Sequence, residues 1–400
     1  MADQVLSSGT QLLLIVLVAR RADPTTFGAV SLALLVHGFL LGVVRAAIAE
    51  VVLLRCRARP PESRHEARAG LFLTLSAGGL AGVCLVCVGL AVGGEVGHYL
   101  QLVALAAPAV YAQDLLRYVA YGTGQIRLAI VIDGIWMGVQ LLVSIVIIAA
   151  GAATPSLLVL AWIAGAVAGA SAGALVLRVW PAPVALGRWW VEERARAGGF
   201  VTDFLVANGL MQGSFILLSV LLPLDEFGGL RAAFLCLSPL ANLLAGVRTL
   251  TLAHLAGLRA HPALARRRAV QVALGLAGIG ALYGIGLVLL PDRWGSELFG
   301  ETWAEAVGLV GILAVGELIR LGSFAAIDLV KALGSPMDLV RTRVVGSAGV
   351  VTGLFLGAAV AGPRGAVVGT VFGNLLITTV WWRQAAVVTG RPAARAETAP

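Results

Sequence analysis

Apolar stretches recur along nearly the whole chain, separated by short polar segments, with centres near residues 12, 36, 80, 110, 138, 167, 211, 240, 279, 313, 349 and 373. Each is about 20 residues long, enough for a helix to cross a hydrocarbon core about 30 Å thick. The pattern predicts an all-α polytopic membrane protein with about 12 transmembrane helices. The intervening segments cannot hold a soluble domain of about 100 residues, which excludes a Rossmann or kinase-like enzyme. No basic region precedes the first stretch and no small-residue cleavage pattern follows it, so it reads as a retained span.

Composition agrees: of 400 residues, 59% are hydrophobic and only 12% charged, against about 25% charged in a globular chain. Mean hydropathy is +0.93. Cys56, Cys84, Cys87 and Cys236 have no histidines at metal-ligand spacing beside them. The Cys84-x-x-Cys87 pair lies inside an apolar stretch, where burial would keep thiols inert, so packing is expected, with no metal and no cofactor.

The net charge of +8 comes from 28 arginines and one lysine. With a cytoplasmic N-terminus, positive charge should collect in the even-numbered loops and the C-terminal tail. Arg55, Arg57, Arg59, Arg64 and Arg68 follow span two, Arg178, Arg188, Arg194 and Arg196 follow span six, and Arg259, Arg266, Arg267 and Arg268 follow span eight. With Arg127, Lys331, Arg341, Arg343, Arg383, Arg391 and Arg395, the cytoplasmic side carries 20 of the 29 basic residues. The outer side carries five, Arg20, Arg21, Arg231, Arg293 and Arg364, beside the acidic Asp292, Glu297, Glu301 and Glu305. Both termini are therefore expected in the cytoplasm, and the basic runs mark topology rather than a nucleic-acid surface. Arg20 and Arg21 depart from the rule, as a tolerated exception or as the lining of a polar cavity.

The two halves repeat. Phe27-Gly28 returns as Phe227-Gly228 at an offset of 200, while Arg45 returns as Arg248, and Asp114-Leu-Leu-Arg117 as Glu317-Leu-Ile-Arg320, at 203. Gly124 and Gly334 close the corresponding turns. Six spans per half is an even number, so the halves are parallel repeats about an axis along the membrane normal. The expected domains are a six-helix lobe at 1–180, a cytoplasmic interfacial linker with Trp189-Trp190 at 181–199, a second lobe at 200–384 and a disordered cytoplasmic tail at 385–400.

A charge at mid-bilayer costs about 2.5 to 3.5 kcal/mol on the insertion scale, so each should face a cavity or a partner. The candidates are Arg45, Glu50, Asp114, Arg117, Asp133, Asp203, Arg248, Glu317, Arg320 and Asp328. Asp114 with Arg117, Glu317 with Arg320 and Asp328 with Lys331 stand three apart on one helix face, as structural ion pairs or as a proton or sodium relay. Arg45 has Glu50 as an imperfect neighbour and Arg248 has no local acid; both read as unpaired cations. They either recognise phosphate or carboxylate or snorkel toward headgroups. Gly165-x-x-x-Gly169-x-x-x-Gly173 suits close helix contact, Pro108 and Pro239 would kink spans four and eight, and His37 and His254 read as packing or cavity residues.

Along the spans stand, in order, Ser7-Ser8-Gly9-Thr10, Asp23-Pro24-Thr25-Thr26-Phe27-Gly28, Arg231-Ala232-Ala233 with Ser238-Pro239-Leu240, and Leu298-Phe299-Gly300-Glu301-Thr302-Trp303. On these motifs the chain resembles the Wzx-type polysaccharide and oligosaccharide flippases of the multidrug/oligosaccharidyl-lipid/polysaccharide (MOP) exporter superfamily. The resemblance runs from Asp3 to about Arg383. It implies a MATE-like fold of two six-helix lobes in a bacterial cytoplasmic membrane. It also implies alternating-access movement of a polyprenyl-diphosphate-linked oligosaccharide to the outer leaflet. By position, Arg20 or Arg21, Arg45 and Arg248 match the family's diphosphate-binding arginines. The partners implied are that lipid-linked substrate, membrane lipid and a coupling H+ or Na+. A drug or metabolite antiporter of the same fold, coupled to H+ or Na+, is the alternative. A membrane glycosyltransferase would need a longer outer loop than Pro291–Glu305, and a transport-inactive scaffold is the remaining reading.

Overall fold

The computed structural model describes residues 2–58, 60–183 and 186–390; the side chains of 2–8, 61, 188, 207, 241–250, 253 and 336 lie outside the described set. Every regular element among the described residues is a helix, and the chain divides into two compact units, Met1–Ile216 and Leu217–Pro400.

The first unit contains α1 (Ala2–Ala19), α2 (Pro24–Ala58), α3 (Ser63–Val92), α4 (Gly94–Gly122), α5 (Ile126–Ala149), α6 (Pro155–Leu177) and α7 (Leu186–Phe204). A π turn at Leu205–Gly209 joins α7 to α8 (Leu210–Leu221), in which the two units meet along the chain. The second contains α9 (Leu224–Gly257), α10 (Pro262–Val288), the short α11 (Asp292–Phe299), α12 (Thr302–Leu333) and α13 (Pro336–Gly390). Among the described residues eight helices are long and apolar enough to cross a membrane, and the protein is a multi-pass membrane protein. The stretches centred near residues 12 and 211 fall on shorter apolar helices, Gly9–Ala19 and Leu210–Leu221. Those near 349 and 373 share α13, which breaks at Ala361 and Gly362 where Gly362 takes a φ of 56°.

Local chemistry starts several of these helices. Asp23 accepts a hydrogen bond from the Thr26 amide at 3.0 Å and Pro24 supplies a pre-set φ at the first helical position, so α2 is capped as its sequence dictates. That amide holds the Asp23 carboxyl below the usual carboxylate range. Thr154 and Pro155 start α6 in the same way. Within α2 the residues Arg45–Ala49 form a π turn, in which the Glu50 amide reaches back to the Arg45 carbonyl.

Each unit is organised around one buried helix. In the first, α4 is surrounded by α2, α3, α5 and α6. In the second, α12 is surrounded by α9, α10 and α13. A ladder of side chains ties α13 to α12: Asn374 donates to the Gly316 carbonyl at 3.1 Å, Thr378 to that of Ile319 at 3.1 Å and Trp382 to that of Gly322 at 2.9 Å. Such bonds replace the water a polar group loses in lipid.

Small residues set the helix spacing. A Cβ on Gly78 would lie 2.8 Å from the Pro108 Cα, and one on Gly82 would lie 2.9 Å from the Ala104 carbonyl oxygen, so α3 and α4 touch backbone to backbone. The Gly165, Gly169 and Gly173 face of α6 packs on Trp136 and Ile132 of α5, as its spacing predicts. Around the break in α13, Gly353 and Gly357 meet the carbonyls of Gly369 and Gly365. Gly357→Ala therefore cannot be absorbed by a side-chain rotation and is expected to cost about 1–3 kcal/mol by overpacking. Gly278→Ala, with nothing within 4 Å of the new methyl, is the matched control. Thermal unfolding of both variants in detergent compares them, and equal melting temperatures would contradict the packing.

The cysteine expectation needs correction. Cys56 and Cys236 are buried, but Cys84 and Cys87 are exposed on α3, on a surface of a spanning helix that also exposes Leu80 and Val83. They are lipid-facing residues rather than core ones, because the side of α3 that packs on α4 is the one carrying Gly78, Gly82 and Gly89.

Candidate functional site

In the first unit four charged side chains meet on α2, α4 and α5. Arg45 grips Asp114 with two bonds, Nε to Oδ2 at 2.8 Å and Nη2 to Oδ1 at 2.9 Å. Arg117 lies 3.5 Å from Asp114 Oδ1 and 3.1 Å from Asp133 Oδ2, and Gln113 donates to the other Asp133 oxygen. Two arginines and two aspartates make the group neutral, which is how charges persist in a medium that solvates them poorly.

The sequence reading of Arg45 as an unpaired cation is therefore corrected. Its partner stands 69 residues away on a neighbouring helix, beyond any search of local spacing. Likewise, the Asp114–Arg117 pair is present but loose, and Arg117 sits closer to Asp133.

The group borders a cavity of about 100 Å³ whose walls include His37, Gln113, Trp136 and Trp162. His37 is buried with its ring 5.3 Å from that of Tyr111 and 5.7 Å from that of Trp162. Trp136 Nε1 donates to the Trp162 carbonyl at 3.1 Å, so the aromatic wall is fixed. The tryptophans carry no periodic signal that separates a cavity wall from core.

In the second unit Glu317 and Arg320 form a two-bond pair on α12, with Arg320 Nε to Glu317 Oε2 at 2.7 Å. The guanidinium also lies 4.7 Å from the centre of the Phe324 ring. Asp328 is buried one helical stretch further along α12.

Exposure decides what each pair presents. The Arg45 side chain is 37% exposed against 4% for Asp114, and Arg320 is 34% exposed against 10% for Glu317. In both units the arginine is the accessible partner and the acid the buried one. A molecule approaching either pair meets guanidinium.

The other predicted site residues are not drawn together. Arg20 and Arg21 are exposed in the turn before α2, and the 21 residues of helix from Pro24 to Arg45 put about 30 Å between them and Arg45. Arg248 lies on α9 with its side chain outside the described residues. Asp203 is exposed near the end of α7, within electrostatic reach of Glu50.

One cluster escaped sequence reasoning. Arg55, expected to mark topology, is buried and contacts Glu66 at 2.7 Å, Glu193 at 2.7 Å and Glu192 at 2.9 Å. Glu193 also accepts from Arg196 at 2.6 Å. Beside this network Trp189 is buried against Val51 and Phe200, whereas Trp190 is exposed. Only one of the two tryptophans is thus available as an interfacial anchor. The signal in the sequence was Glu192-Glu193 on an otherwise basic segment.

No protein-family model matches the chain and no curated protein matches it by sequence. Solved structures do match. An inward-facing conformation of a multidrug resistance MATE family transporter of the MOP superfamily aligns with a TM-score of 0.72 at 14% identity, over 99% of this chain and 96% of that one. An outward-facing conformation of a multidrug resistance MATE family transporter aligns with a TM-score of 0.59 at 12% identity, over 97% and 94%. A MOP superfamily transporter from Pyrococcus furiosus, for which reversed polarity of the binding pocket suggests a different function, aligns with a TM-score of 0.62 at 12% identity, over 97% and 93%. The chain has the fold of the MATE transporters of the MOP superfamily.

Proposed function

We propose that this protein is a transporter that moves a polyprenyl-diphosphate-linked oligosaccharide from the inner to the outer leaflet of a bacterial cytoplasmic membrane by alternating access. The observation that carries this reading is the orientation of the ion pairs: the accessible member is arginine in both units. A diphosphate is recognised by guanidinium forks. Arg45 Nη1 bonds nothing among the described residues, so a phosphate can add to the guanidinium or displace Asp114 from it. Displacement would leave the Asp114 carboxylate to Arg117 or to a proton, which links substrate binding to a change in charge. The existence of inward-facing and outward-facing structures of this fold supports alternating access, and no covalent step is needed.

The same proposal includes twelve spans in two parallel six-helix repeats, with both termini cytoplasmic. Support comes from the parallel roles of α4 and α12, each the buried centre of its unit and each carrying the acid-x-x-Arg motif. Arg248 remains a proposed diphosphate contact on position alone; Arg20 and Arg21, about 30 Å from Arg45, are proposed contacts at a separate stage of the diphosphate's passage, and Asp133 and Asp203 proposed participants in ion coupling.

The test is transbilayer movement of a fluorescent polyprenyl-diphosphate oligosaccharide in proteoliposomes. Wild type is expected to move it, and Arg45→Gln to lose at least tenfold in rate. Uptake of a small organic cation with no lipid movement would overturn the proposal in favour of an H+- or Na+-coupled antiporter.

A further inference from the structure

At the basic end of the second unit, α10 and the last turns of α13 leave a cleft of about 520 Å³ between them. Its walls follow helical spacing: Arg266, Arg267, Val270 and Gln271 on α10 face Ala386 and Thr389 on α13. Arg266 and Arg267 are exposed. Neither guanidinium has a partner among the described residues, while the adjacent Arg268 is held by Gln271 at 3.2 Å. Residues 262–288 of α10 contain neither Asp nor Glu, and the one acid of α13, Asp338, lies in its first turn, where it accepts from the amide and hydroxyl of Ser335 and does not line the cleft. Two unopposed arginines at one mouth call for an anion from outside.

The walls specify what kind of anion. Below the arginines, Val270, Leu274 and Leu282 are exposed along α10, and with Gly278 they form a single row at four-residue intervals. That row runs from the cleft down the hydrocarbon-facing side of a helix apolar enough to span the membrane. A free phosphate would use the arginines and leave the row untouched; an anionic phospholipid would use both.

We propose that this cleft binds the phosphate headgroup of an anionic phospholipid, with an acyl chain lying along Val270, Leu274 and Leu282. The headgroup phosphate accepts from Arg266 and Arg267, and the Gln271 amide is placed to donate to the glycerol backbone. The site is separate from the ion pairs proposed to meet the transported substrate. It does not depend on what that substrate is.

The experiment is native mass spectrometry of the full-length protein in detergent, titrated with phosphatidylglycerol, phosphatidylcholine or inorganic phosphate. Phosphatidylglycerol is expected to bind wild type, and the Arg266→Gln, Arg267→Gln double variant to bind it roughly 25-fold more weakly, about fivefold per arginine. Ala386→Trp, which fills the cleft and keeps the charges, is expected to weaken it as well, so a loss in both variants cannot be put down to bulk charge. Four results would overturn the proposal: unchanged affinity in the folded double variant, equal affinity for phosphatidylcholine, displacement of the lipid by inorganic phosphate at equal concentration, or binding that emerges only after residues 391–400 are removed. The last would give the cleft to the chain's own C-terminal segment.

Discussion

Arg55→Leu is expected to destabilise the protein by about 3 kcal/mol or more, because breaking a buried ion pair by removing one partner leaves the other charge uncompensated. Here a single guanidinium answers three carboxylates, of which Glu66 and Glu193 are buried and only Glu192 is substantially exposed. Arg196 can hold one of them, since it already reaches Glu193, which is why the loss is set at the lower end of the usual range. The measurement is unfolding in detergent or bicelles followed by tryptophan fluorescence, with Trp189 of the adjoining cluster as a local reporter. Adding Glu66→Gln to the variant should recover part of the loss. A melting temperature unchanged by Arg55→Leu would mean that the network is solvated in the membrane-embedded protein.

The second large effect concerns the pair at the centre of the first unit. Arg45→Gln takes two charged bonds from a carboxylate that is almost fully buried and leaves it the looser Arg117 at 3.5 Å. Charged hydrogen bonds are worth about 1.5 to 3 kcal/mol each, but Arg45 is 37% exposed and screened by solvent and Arg117 offsets part of the loss, so the expected loss of stability is about 2 kcal/mol. Asp114→Asn is expected to cost less, because the arginine it releases is partly exposed and can turn toward solvent. Made together, the two changes should restore much of the stability, with a coupling of about 1 kcal/mol or more across the cycle. Transport should not return with it, since the double variant presents no cation at this position. Simple addition of the two single losses would show that the residues act independently and would remove the basis for a displaceable clamp.

These effects divide what the sequence revealed from what it hid. Spans are legible because hydropathy is a local sum, and the caps at Asp23 and Thr154 are legible because each acts within three residues. The Gly165–Gly169–Gly173 face was readable for the same reason. Partners were not: Arg45 meets Asp114 across 69 residues and Arg55 meets Glu193 across 138. Only packing decides those distances. Searching three or four positions away found the weak member of the Asp114 environment, Arg117, and missed the strong one. Arg55 was misjudged differently, since a basic residue after a span satisfies the charge rule whether it is solvated or buried. Cys84 and Cys87 show the converse error, in which an apolar neighbourhood in sequence was taken for burial although half of any lipid-embedded helix faces outward.

The π turn at Arg45–Ala49 has a consequence for the chain's tolerance of length changes. Such a turn holds one residue more than an α-helix would over the same rise, so it acts as a stored insertion in α2. Deleting one residue there would let the helix close into regular form without shortening the span appreciably, and the residues on either side would keep their angular phase, because the Glu50 amide that now reaches back five residues to the Arg45 carbonyl would reach back four. Arg55 would stay against Glu66 and Glu193 while Arg45 kept Asp114. Deleting one residue of the regular helix between Glu50 and Arg55 would instead swing Arg55 by about 100° around the axis, so neighbouring turns of one helix differ sharply in the length changes they accept.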